Sequence, residues 1–77
     1  MIIKAKSDRL LGYVDTNTQM FYFVKEDTTL HNFNIIVRHV NVIVPIFTGI
    51  ETQEEAEKTL QELINAMINN QAFFEVI

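Results

Sequence analysis

The chain has 77 residues, six Lys/Arg against ten Asp/Glu, a net charge of −4 and no cysteine. A domain of this size buries only about 60% of its unfolded surface, so it calls for a staple. The missing cysteines exclude disulfides, zinc–thiolate sites and thiol chemistry, and point to a reducing compartment, here the cytoplasm of the producing cell. The longest apolar runs, Met20–Val24 and Val42–Phe47, fall far short of the roughly 18 residues a membrane helix needs. Neither a signal peptide nor a membrane partner is expected.

Ile2–Lys6 alternates apolar and polar residues and predicts a short strand, and Leu10–Val14 a second. Asp15-Thr16-Asn17-Thr18 reads as a turn, because short polar side chains bond nearby backbone groups. Met20–Val24 is the clearest strand, aromatic and β-branched. Phe33–Val40 and Val42–Phe47, rich in Ile and Val, predict two more, joined near Arg38–Asn41. Leu30, Phe33, Val37 and Val40 also recur at helical spacing, but β-branched residues and Asn disfavour a helix there. Gly49 is expected to supply the turn between Phe47 and the helix that follows.

Thr52-Gln53-Glu54-Glu55 fits a capping box and starts a helix over about 52–69. Ala56, Leu60, Leu63, Ile64 and Met67 form its apolar stripe. Glu54, Glu55, Lys58, Glu62, Asn65 and Asn69 fall on the opposite side, with Glu54 and Lys58 spaced to pair across one turn. Asn69-Asn70 is the stop. Phe73–Ile77 is apolar enough to form a final edge strand. The fold class expected is therefore α+β, one domain over residues 1–77: an antiparallel sheet of four to five short strands with one amphipathic C-terminal helix on one face.

Side chains on a strand alternate faces. Met20, Tyr22 and Val24 oppose Phe21 and Phe23, while Val42, Val44 and Ile46 oppose Ile43 and Phe47, so two strands are apolar on both sides. A helix about 10–12 Å across cannot cover both faces of a sheet roughly 15–19 Å wide. An identical subunit is the simplest second cover. The residues expected in interface or buried contacts are Met20, Phe21, Tyr22, Phe23, Ile43, Ile46, Phe47, Phe73 and Phe74.

No motif carries catalysis. Ser7, the single serine, lacks the glycine-bearing nucleophile turn. Gly12 and Gly49 are isolated, so no phosphate-binding loop can be built. His31 and His39 would lie about 26 Å apart on one strand, with no third ligand at metal-site spacing. No cofactor or metal is expected.

The charge is segregated. Lys4, Lys6, Arg9, Lys25 and Arg38 against Asp8, Asp15, Glu26 and Asp27 leave residues 1–50 at +1. Lys58 against six Glu leaves residues 51–77 at −5. The acidic helix face of Glu54, Glu55 and Glu62 suits a protein partner with a basic surface and disfavours nucleic acid.

Met20–Lys25 resembles the F-x-F-V core of the aromatic strand in RNA-recognition domains, but the preceding basic residue and glycine and the βαββαβ order are missing. In size and layout the chain is similar to many small bacterial and phage proteins, a likeness with no residue motif behind it. The expectation is a non-enzymatic, homodimeric interaction module. A single-stranded nucleic-acid-binding domain using the sheet aromatics with Lys4, Lys6, Arg9, Lys25 and Arg38 is the alternative.

Overall fold

Five strands and one helix account for most of the chain in the computed structural model, which describes residues 1–7, 11–15 and 20–76. The strands are β1 (Ile2–Lys6), β2 (Leu11–Asp15), β3 (Phe21–Asp27), β4 (Asn32–His39) and β5 (Val42–Ile50). The helix α1 (Gln53–Ile68) follows, and a two-residue strand β6 (Phe73–Phe74) comes after it. The sheet runs β2-β1-β5-β4-β3, with β6 also on β1. The alternating, β-branched segments thus form strands as expected, and residues 32–39 are strand rather than helix. The turn expected at 15–18 falls, beyond Asp15, outside the described residues, as does Leu10 of the expected second strand.

The sheet is mixed rather than purely antiparallel. β1 pairs antiparallel with β2, but parallel with β5 at Lys6–Phe47 and parallel with β6 at Ile2 and Ile3. The cause is α1. A chain that leaves β5, crosses the sheet as a helix and returns arrives running in the original direction, so β5 and β6 are parallel by construction. Ile2 N–H donates to the Ala72 carbonyl at 2.8 Å, holding the returning segment on β1.

β5 departs from regular pairing twice. Phe47 faces Ile35 and Pro45 faces Ile36, which leaves Ile46 as an extra residue; Thr48 and Gly49 then face Asn34 alone. Pro45 has no N–H to give a ladder, and a central strand tolerates it at such an interruption. Gly49 takes a φ of 72°, the left-handed region that favours glycine, and its N–H points to Asn34 Oδ1 at 3.4 Å. Gly49 is therefore a bulge residue inside β5, and the strand runs on to Ile50; the expected turn lies later, at Glu51.

The extra residue corrects one face assignment. Strict alternation puts Ile46 and Phe47 on opposite sides, but the bulge sends both into the core, where each is buried. They join Ile3, Ile35, Val37 and Leu63, with Met20, Tyr22, Val24, Val44, Leu60, Met67 and Phe74 packed around them. Phe74 meets Phe47 edge-on at 6.2 Å.

The helix begins and ends as its residues dictate. Glu55 N–H donates to Thr52 Oγ1 at 3.1 Å, the cap that the box predicts. At the far end Asn70 takes a φ of 56°, Asn70 N–H reaches the Met67 carbonyl and Gln71 N–H the Ala66 carbonyl, a left-handed Schellman stop. The buried stripe is rotated from the expected one. Ala56, Leu63 and Ala66 are buried, whereas Ile64 lies on the flank and is 36% exposed. Glu54, Glu55, Lys58, Glu62, Asn65 and Asn69 are exposed as expected. Glu54 and Lys58 form no ion pair; Gln53 instead donates to Glu57 at 3.1 Å. No helix among the described residues is long and apolar enough to cross a membrane.

Candidate functional site

The cross-strand register builds the side of the sheet away from α1. On β3, Phe21, Phe23 and Lys25 face Arg38, Ile36 and Asn34 of β4. On β5, Arg38 and Ile36 face Ile43 and Pro45. Three rows result: Phe21–Arg38–Ile43, then Phe23–Ile36–Pro45, then Lys25–Asn34 with Thr48 beside them. The middle row is wholly apolar.

Within it Ile36 is only 6% exposed although no helix lies over it. It lies between Phe23 and Pro45 across the strands, with Asn34 and Arg38 on the same side of its own strand. The outer row is open: Phe21 is 55% and Ile43 62% exposed. Phe21 and Phe23 sit one above the other, ring centres 5.6 Å apart, and the Arg38 guanidinium lies 5.3 Å from the Phe21 ring. A shallow groove of about 450 Å³ runs along Phe23, Lys25, Asn34, Ile36, Pro45 and Thr48.

These rows hold two cations, and the carboxylates of Glu26 and Asp27 also line the groove beside them. Asp27, the next residue on this side of β3, accepts from the backbone N–H groups of Thr29 and Leu30 at 3.0 and 3.1 Å and so serves the turn. The acidic residues of the C-terminal third sit mainly on the opposite layer, along α1, where Glu54, Glu55 and Glu62 are exposed. A sheet side of aromatic and mixed-charge character thus backs onto a helix side that is acidic.

A second exposed apolar group lies at the other end of the sheet, where β1 buries Ile3 and Ala5 and turns Ile2 and Lys4 outward. Tyr13 and Phe73 meet there at 6.3 Å. Lys4 Nζ bonds Glu75 at 3.0 Å, and that hydrogen bond and charge raise the lysine above its ordinary 10.5.

The residues expected in contacts therefore divide. Ile46 and Phe47 are core, and Met20, Tyr22 and Phe74 lean on it. Phe21, Phe23 and Ile43 share the side away from the helix, and Phe73 stands apart beside Tyr13. Ile36, Pro45 and Arg38 complete the rows. The alternation of Phe33–Val40 contains the signal for Ile36, since Ile35 and Val37 must point the other way.

His31 sits exposed in the β3–β4 turn and His39 is half-buried at the end of β4. No group of three metal-ligating side chains occurs among the described residues. The described residues form a two-layer α+β domain in which α1 packs on one side of the sheet only. Comparison with protein families, curated proteins and solved structures finds no match to this chain.

Proposed function

We propose that the chain is a non-enzymatic protein-interaction module that pairs with a second copy of itself through the uncovered side of its sheet. The observation that carries this reading is the apolar middle row around Ile36, flanked by exposed Phe21 and Ile43, on the layer that α1 does not reach. Removing such side chains from water contributes about 25 cal/mol per Å², and a contiguous patch left in water makes a chain adhesive. Pairing leaves the acidic helix side free for a basic protein partner.

Sedimentation at micromolar concentration tests the reading. A dimer is expected, weakened by Ile43→Glu. A strict monomer up to 100-fold higher concentration would overturn it.

One observation favours a second reading. Lys25 and Arg38 stand in the same rows as Phe21 and Phe23, an arrangement that suits bases stacked on rings with phosphates on cations. A single-stranded oligonucleotide that binds at low salt and is released as salt rises supports it; no binding at low salt removes it.

A further inference from the structure

We infer that the two copies stack sheet on sheet about a two-fold axis that runs across the strands through Ile36. Each Lys25 then covers the partner's Phe21, and each Arg38 reaches the partner's Asn34 and Asp27. This rests on the self-association proposed above and specifies how the two copies meet.

Few arrangements are open to such a pair. A copy laid on the side of the sheet away from α1 is related to the first by a two-fold axis lying between the two sheets. Facing sheets keep their strand directions aligned within about 30°; the near-perpendicular alternative is built at corners where a strand passes from one sheet to the other, which separate chains lack. The axis therefore runs either along the strands or across them. Both choices set Ile36 against its own copy.

Charge decides between them. Arg38 and Asn34 lie two residues to either side of Ile36 on β4, each about 7 Å away. Phe21 and Lys25 flank Phe23 on β3 in the same way, with Glu26 and Asp27 lining the groove at the Lys25 end. An axis along β4 sets Arg38 against the partner's Arg38. Of these side chains, one end of the interface then holds two guanidinium groups and no carboxylate, while the other holds two ammonium groups and four carboxylates. An axis across the strands turns the second copy end for end. Each end then holds one arginine, one lysine and two carboxylates, so both are neutral.

The contacts agree with the charges. Facing sheets lie about 10 Å apart, a gap that long side chains fill. The Arg38 guanidinium, 5.3 Å from the Phe21 ring, meets the partner's Asn34 amide, with the partner's Asp27 one row beyond. Asp27 accepts from its own turn through Oδ1, and Oδ2 is the oxygen turned to a guanidinium. Lys25 lays its stem on the partner's Phe21, a ring that is 55% exposed in the single copy. An axis along the strands would bring Phe21 onto Ile43 instead, a good apolar match. It would also seal two arginines against each other, and burying an unpaired charge costs more than that apolar contact returns.

The β3–β4 turn reads the axis directly. Leu30 stands in it, 63% exposed, and about 17 Å from Ile36 along the strand direction. An axis across the strands carries the two turns to opposite ends, about 35 Å apart, whereas an axis along them leaves the turns within about 15 Å. The chain has no cysteine, so Leu30→Cys carries a nitroxide at one place only. Dipolar electron spin resonance on the labelled dimer is expected to give about 35 Å. A separation of about 15 Å, or of about 20–30 Å from crossed strands, would overturn the axis and leave self-association intact. A label on Lys58→Cys, on the exposed side of α1, is expected beyond about 30 Å, because stacked sheets put both helices on the outside. A shorter separation there would place the helices in one layer and remove this inference together with the sheet side it uses. Arg38→Met is expected to raise the dimer dissociation constant about fivefold or more, and an unchanged or lower constant would contradict the contacts assigned to Arg38. A chain that sediments as a monomer removes both proposals together.

Discussion

Replacing Leu63 with Ala removes three carbons from a side chain with no solvent exposure, at the point where α1 meets Ile3, Ile35 and Phe47. Transfer alone accounts for about 2.4 kcal/mol at roughly 0.8 per carbon, and the cavity left behind brings the expected loss to about 3 kcal/mol. For a 77-residue domain, whose whole stability is roughly 4–12 kcal/mol, that is a quarter or more. The melting temperature should fall by about 12–24 °C. Ile64→Ala is the informative comparison, since the neighbouring isoleucine sits on the flank and alanine favours a helix; its expected cost is about 1 kcal/mol or less. Urea unfolding followed by far-ultraviolet circular dichroism measures both. Equal losses in the two variants would refute the rotated stripe and restore the simple periodic one.

Two further perturbations address the strands. Gly49→Ala places a side chain in open space, with nothing within 4 Å, so its effect isolates the backbone. A φ of 72° should cost alanine about 1 kcal/mol in urea unfolding, and a neutral outcome would deny the bulge. Lys4 is raised above its ordinary 10.5 by Glu75, so the stability it contributes is present in full below that value and is lost as pH rises through the raised one. The urea midpoints of the native chain and Lys4→Met should therefore differ at neutral pH and converge in strong alkali; a gap that persists there would place the effect in the lysine stem rather than its charge.

Local chemistry alone made α1 legible. Thr52 and Asn70 bracket it because a hydroxyl that accepts a backbone N–H and a side chain tolerant of left-handed backbone act within four residues. The strands were legible for a similar reason, since β-branched and aromatic residues such as Met20–Val24 suit an extended backbone wherever it lies. Period-two alternation also set Phe21 and Phe23 on the side opposite Met20, Tyr22 and Val24, and it holds because β3 pairs with β4 without interruption; which side α1 covers was not in the sequence.

Only the tertiary structure decided the rest. Phe47 belongs to the core rather than beside Ile43 because an extra residue at Ile46 shifts the count, and a bulge depends on the partner strand rather than on the residues inside it. Likewise β5 and β6 are parallel because the helix carries the chain across the sheet. Ile64 falls on the flank because the sheet meets the helix over Ala56, Leu63 and Ala66. Periodicity records which side chains avoid water. Which neighbour each one meets is settled by contacts between segments distant in the chain, and those have no period to read.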